Sequence, residues 1–200
     1  MSPGTSKIIK KSQLDKDTAE VFLSAKYFES KPVFIRLDNF SNSFKWDNPT
    51  SEIERAIVSL LDKEKIDYNN MTIEYWFQHQ KLGEQLRPHC DYNHNVRAGS
   101  AIDFDVPGKV MSPITIGCYL QVENMTGGEL CISDHTWFNE PNPLSINSSD
   151  IMKYPYETYV PQLYDILYFE GSRYYHWINR VESGERKSMM INFWPEDMNL

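Results

Sequence analysis

The sequence predicts a mainly β fold with supporting helices, and three observations predict it. Side chains alternate at period two, the repeat of a strand, through Arg186–Trp194 and again through residues 113–122. Between them lies Asp165–Phe169 (DILYF), a continuous β-rich run of strand length. Only one stretch, Ser51 to about Lys65, carries a full set of helix signals. Two hundred residues suit one domain and can bury a substantial core without staples. The expected division is a single domain over 1–200, with 1–70 as helical and strand support and 71–195 as the β core.

Residues 1–13 are polar and are expected to fray. From Leu14 to Phe28, Ala19, Val21, Phe22, Ala25, Tyr27 and Phe28 allow a short helix. Lys31–Phe40 is β-rich and reads as a strand outside the core; SNSFKWDNPT (41–50) reads as a loop, with turn chemistry at Asp47-Asn48-Pro49. Ser51-x-x-Glu54 is a capping box, and Ile53, Ile57, Leu60 and Leu61 follow at helical spacing, a stripe suited to backing a sheet. Met71–Gln80 is a strand candidate, whereas 92–112 holds no clear element. In 113–122, Ile114, Ile116, Cys118 and Leu120 share one face. Thr115, Gly117 and Tyr119 share the other, which is small and polar apart from the tyrosine and leaves space for a ligand. Residues 134–163 form a long Pro- and Asn-rich passage whose length points to a functional or mobile connection. Its aromatics Trp137, Phe138, Tyr154, Tyr156 and Tyr159 suit the wall of a substrate cleft, and equally suit pinning the passage to the body. After 165–169 comes His176 on a second short strand, then a Gly184-Glu185-Arg186 turn into the last.

The net charge of −8 argues against sequence-independent nucleic-acid binding, which needs a basic footprint. Three cysteines at unrelated spacings form neither a disulfide framework nor a zinc pattern, and read as reduced thiols. No apolar run approaches membrane-spanning length, and MSPGTSKIIKKSQ lacks the apolar centre of a signal peptide. A cytoplasmic protein is expected, with the sequons at Asn70, Asn124 and Asn147 accidental.

The chemistry concentrates late in the chain. Arg186 and Ser188 share a face of an apolar strand, a cation and a hydroxyl suited to clamping a carboxylate; a buried Arg demands an anionic partner. Upstream, His89 and Asp91 share a face if the chain is extended there, with Cys90 pointing away. A lone H-x-D means little: five His and thirteen Asp in 200 residues give about one by chance in three such chains. Two His and one carboxylate with positions left open, however, make the facial triad of non-haem Fe(II) sites. His89-x-Asp91, then His176, then Gly184-Glu185-Arg186-x-Ser188 ten residues on closely resembles the Fe(II)/2-oxoglutarate-dependent dioxygenases, nearest the prolyl 4-hydroxylase-like branch. Pro113–Leu120 is similar to the family's second barrel strand, Gly127-Gly128-Glu129-Leu130 to its G-G-x-L turn, and Asp165–Phe169 to the strand before the distal His. The resemblance covers about residues 75–195.

That resemblance implies a double-stranded β-helix, a jelly-roll or cupin-like barrel. It implies Fe(II) on His89, Asp91 and His176, and 2-oxoglutarate held by Arg186, Ser188 and Tyr119, with ascorbate as an accompanying reductant. It implies O2-dependent hydroxylation of a C–H bond, releasing succinate and CO2, on a prolyl or other protein side chain. A free amino acid or small metabolite is the alternative substrate, and a catalytically silent 2-oxoglutarate-binding module the alternative class. A hydrolytic Zn2+ site has no need of a distant carboxylate clamp. Two departures matter. His79 stands where the prolyl branch has a tyrosine, which puts prolyl recognition in doubt. Asn192 stands where the nucleic-acid-acting branch has a further Arg. Of the other histidines, His94 reads as exposed or supporting, His79 has no ligand partner, and His135 reads as loop or cleft rim.

Overall fold

Strand β10 (Val181–Pro195) runs through the middle of the computed structural model, which describes residues 7–25, 28, 42–91, 112, 114–136 and 147–195. It pairs antiparallel with β5 (Thr115–Gly127) on one side and β3 (Met71–Lys81) on the other. With β1 (Ile8–Gln13), β2 (Asn42–Lys45) and β8 (Asp165–Phe169) they form a six-stranded sheet in the order β1-β8-β5-β10-β3-β2. A second sheet orders β4 (Leu86–His89), β9 (Tyr174–Ile178), β6 (Leu130–Thr136) and β7 (Tyr156–Tyr159) as β4-β9-β6-β7. Helices α1 (Lys16–Leu23), α2 (Glu52–Glu64) and α3 (Ser148–Ile151) cover the outside.

Alternation along β10 sorts the molecule into layers. Met189, Ile191 and Phe193 face outward into the main core, where they meet Ile73, Tyr75 and Phe77 of β3, Ile116, Cys118 and Leu120 of β5, and Ile57, Leu60 and Leu61 of α2. Each such side chain is worth about 1.5–3 kcal/mol on burial. Met190 faces inward, packing with Tyr119, Leu130, Ile132, Leu167 and Phe169 between the sheets. A third cluster, Cys90, Cys131, Ile151, Tyr175 and Trp177, lies on the far face of the smaller sheet beneath α3. The α2 capping box is formed: Glu54 N–H donates to Ser51 Oγ at 3.1 Å, and Ser51 N–H to Glu54 Oε2 at 3.0 Å. Among the described residues no helix is long and apolar enough to cross a membrane.

Four expectations need correction. Within the expected frayed start 1–13, Ile8–Gln13 is strand β1, paired with β8 and tied down by Lys11 Nζ and Gln13 Nε2, 3.1 and 2.6 Å from the buried carboxylate of Asp165, while residues 1–6 lie outside the described residues. Within the expected loop 41–50, residues 42–45 form edge strand β2 against β3, with Phe44 the one buried side chain. An edge strand takes its order from the neighbour's backbone, so polar side chains hide it. The long passage 134–163 contains the end of β6, α3 and β7. The Gly184-Glu185-Arg186 segment is no turn but an irregularity inside β10, where the register against β5 shifts between Val181, Ser183 and Glu185. The expected strand 31–40 and most of 92–112 lie outside the described residues.

Gly184 has φ +68, and a Cβ there would stand 2.0 Å from the Glu123 carbonyl oxygen. Gly184→Ala is therefore expected to lower stability by more than the about 1–2 kcal/mol of a left-handed non-glycine residue, read as a fall in the urea midpoint. An unchanged midpoint would show that the irregularity tolerates a side chain.

Candidate active site

The two sheets face each other across a cleft, and pairing of β4 with β9 puts His89 directly opposite His176. Their ring centroids are 4.3 Å apart. Asp91 follows two residues after His89 and returns to the same side, while Cys90 turns into the cluster behind the sheet. Asp91 Oδ1 lies 3.7 Å from Nε2 of each imidazole. Each Nδ1 is 2.9 or 3.2 Å from a backbone carbonyl oxygen, Arg87 O for His89 and Tyr174 O for His176. A carbonyl only accepts, so each Nδ1 carries the proton and each Nε2 presents its lone pair inward. Burial, with the neighbouring His89 imidazole, holds His176 below its ordinary value and therefore neutral. All three ligand atoms lie within 4.8 Å of one another. A cation held at about 2.0–2.2 Å would draw them to about 3 Å separations, a small contraction. The donor set fits one divalent ion and leaves part of its coordination sphere open.

Further along the cleft stands Arg186, 1% exposed. Its Nε donates to Gln80 Oε1 at 2.8 Å and its Nη1 to the Gly128 carbonyl at 2.9 Å. Gln80 is held in turn by donating to Gln78 Oε1 at 3.2 Å. The guanidinium carbon sits 5.2 Å from the Tyr119 ring centre. Among the described residues no carboxylate pairs with it. Burial pulls this guanidinium below its ordinary range and pushes the Tyr119 phenol above its own. Trp76, Gln78, Tyr119, Leu130, Arg186 and Met190 line the cleft together with both imidazoles. Two buried side-chain polar atoms lack a hydrogen-bond partner among the described residues, Trp76 Nε1 and Ser188 Oγ. Both lie on the inward face, where β3 meets β10: Ser188 is opposite Gln78 and beside Tyr119, and Trp76 is opposite Met190. One end of the cleft offers metal ligands, and the other a cation and donors without an acceptor.

Solved structures share this architecture. A prolyl-4-hydroxylase from Pseudomonas putida superposes with a TM-score of 0.54 at 13% identity, over 92% of this chain and 86% of that one. The viral collagen prolyl hydroxylase of Paramecium bursaria Chlorella virus-1, solved as its 2-oxoglutarate complex, gives 0.51 at 15% identity over 92% and 93%. HygX of Streptomyces hygroscopicus with nickel and 2-oxoglutarate bound gives 0.52 at 14% identity over 91% and 80%. The fold is the double-stranded β-helix of the 2-oxoglutarate oxygenases. No family model and no curated protein matches the sequence itself.

On this double-stranded β-helix the structure brings together His89, Asp91, His176, Arg186, Ser188 and Tyr119, but not Tyr154 or Tyr156 of the expected cleft aromatics. Tyr156 packs edge-on against Trp177, 4.9 Å between centroids, and Trp177 alternates with His176 on β9, so Tyr156 stands on the opposite face of the sheet. Tyr154 is surface-exposed and stacks on His135 at 4.0 Å. His135 is thus a buried residue of β6 and not a cleft rim. Trp137 and His94 lie outside the described residues. His79 is 2.9 Å from Glu185 Oε2 across the β3–β10 pair. Sequence reading missed Gln80, the Gly128 carbonyl and Trp76 as parts of the site. Alternation from Gln78 would have flagged Trp76 and Gln80; nothing flags a carbonyl.

A buried cation whose partners among the described residues are all neutral is a stability cost. Arg186→Met is expected to leave the ligand-free protein as stable as wild type or up to about 4 kcal/mol more stable, read as an unchanged or raised melting temperature. A marked fall would show that the guanidinium is a structural strut and not a receptor.

Proposed function

We propose that the protein is an Fe(II)- and 2-oxoglutarate-dependent dioxygenase that hydroxylates a C–H bond and releases succinate and CO2. One observation carries this: a fully buried guanidinium, without an anionic partner among the described residues, faces the same cleft as two imidazoles and a carboxylate. A dianion with a carboxylate at one end and a chelating keto acid at the other satisfies both ends at once. The chain's own residues divide the work. His89, Asp91 and His176 hold the metal, with the Asp91 charge offsetting it. Arg186 pairs with the distal carboxylate, for which its planar fork suits better than a Lys would. Ser188 and Tyr119 add neutral hydrogen bonds. Bound iron supplies the oxidising power, with ascorbate as an accompanying reductant; the protein supplies position and exclusion of water.

The fold similarity to prolyl hydroxylases supports a prolyl or other protein side chain as substrate. A free amino acid or other small metabolite is the alternative substrate within the same reaction. The complete ligand triad weighs against a silent binding module. Residues 1–200 act as one catalytic domain in this reading, in the cytoplasm, with no nucleic-acid partner in view of the net charge of −8.

Fe(II) and 2-oxoglutarate are expected to bind together under anaerobic conditions, and aerobic succinate release is expected on panels of peptides and amino acids. Arg186→Ala should weaken 2-oxoglutarate by about 1.5–3 kcal/mol, the range of a charged hydrogen bond. His89→Ala or Asp91→Ala should abolish succinate release. Full 2-oxoglutarate affinity in the first variant, or undiminished turnover in either of the others, would remove that residue from its role.

A further inference from the structure

We propose that Thr115, Asn192 and Gly171 form a cradle that holds Asp91 as a one-oxygen ligand, which makes them positioning residues of the metal centre. The proposal rests on His89, Asp91 and His176 being metal ligands. Asp91 divides its two oxygens. Oδ1 faces both imidazoles, 3.7 Å from each Nε2. Oδ2 turns away from them and lies 3.0 Å from Thr115 Oγ1, which is completely buried. The same Oγ1 lies 2.7 Å from Oδ1 of Asn192, which is 1% exposed. One hydroxyl proton serves one acceptor. The two ends of the Asn192 amide have the same shape, and with its NH2 in place of Oδ1 beside Thr115 the relay runs donor by donor from Asn192 to Thr115 to Asp91.

Gly171 closes the cradle sterically. A Cβ there would stand 2.4 Å from Thr115 Oγ1 and 2.6 Å from Asp91 Oδ2, so any side chain would occupy the seat of the carboxylate. The Gly171 carbonyl also accepts from Asp91 N–H at 3.0 Å, fixing the backbone beneath the ligand. The segment is itself anchored, since Ser112 N–H donates to Ser172 Oγ at 2.9 Å and Phe193 N–H to Ser112 Oγ at 3.0 Å.

A carboxylate with both oxygens free can bind a metal through one or both. Pinning Oδ2 on a buried hydroxyl reserves Oδ1 for the ion and keeps the adjoining coordination position available. A chelating cosubstrate needs that position. No cation in the cradle neutralises Asp91, so its charge remains available to the metal.

Co(II) binding by the full-length protein tests this without turnover, by titration and by the shape of the cobalt absorption spectrum. Thr115→Val removes the hydroxyl at nearly constant volume and is expected to weaken Co(II) by about 10–100-fold, as loss of an outer partner of a ligand does, and to alter the spectrum. Thr115→Ser should retain the wild-type affinity and spectrum. Gly171→Ala should follow Thr115→Val; if it fails to fold, the Thr115 pair decides alone. Wild-type affinity and spectrum in Thr115→Val would overturn the cradle, as would a loss in Thr115→Ser equal to that in Thr115→Val. A wild-type protein that binds no Co(II) would overturn the metal-centre reading, and the cradle with it.

Discussion

A guanidinium removed almost wholly from water must be compensated, and in this molecule neutral groups do part of the work. Gln80 and the Gly128 carbonyl orient Arg186, and the Tyr119 ring lies against it, but none cancels its charge. In a medium less polar than water, an uncompensated cation is a standing electrostatic cost that a stable core must carry. The outward face of β10 meets that condition, with Met189, Ile191 and Phe193 buried against α2 and its neighbours. Packing and site thus use alternate residues of one strand, and its pairing with both β3 and β5 leaves neither set free to move alone.

The opposite end of the cleft follows a related logic with the sign reversed. The Asp91 carboxylate accepts from one hydroxyl while its backbone N–H donates to Gly171, and among the described residues no lysine or arginine pairs with it; the imidazoles beside it donate their Nδ1 protons to carbonyls. An acid left unneutralised between two inward lone pairs is repulsive until a cation arrives. The cleft therefore holds a charge pattern, negative at one end and positive at the other, that a metal with a dicarboxylate complements.

The residues that carry this pattern were legible because they break a local rule. His176, Arg186 and Ser188 are polar positions on strands otherwise fit for a core, and the alternation of 186–194 and of 113–122 assigned their faces correctly. The partners were less legible. Thr115 and Tyr119 share the small, polar face of their strand and alternation puts Asn192 on the face of Arg186 and Ser188, but no local pattern sets Asn192 against Thr115. The meeting of Thr115 with Asn192 depends on register between strands 77 positions apart in the chain. Strands β1 and β2 were hidden because edge strands borrow their order from a neighbour's backbone, which side-chain periodicity does not encode. Tyr154 and Tyr156 were misplaced for the same reason: once 156–159 is known to be a strand paired to β6, alternation turns Tyr156 away from the cleft.

The net charge of −8 bears on the role proposed for the buried cation, which is to receive a dianion. A dianionic cosubstrate approaching an acidic protein is repelled at long range, yet at physiological salt that repulsion is screened beyond about 8 Å. Inside the cleft, screening by salt is weak and the field is set by the nearest fixed groups. There Arg186 outweighs scattered surface carboxylates that bulk water already attenuates. Surface charge then governs how often an anion arrives, and the geometry around Arg186 and Asp91 governs whether it stays. An acidic exterior is for this reason compatible with the proposed anion receptor, which Gln80, Gly128 and β10 hold buried and rigid, with no carboxylate partner among the described residues.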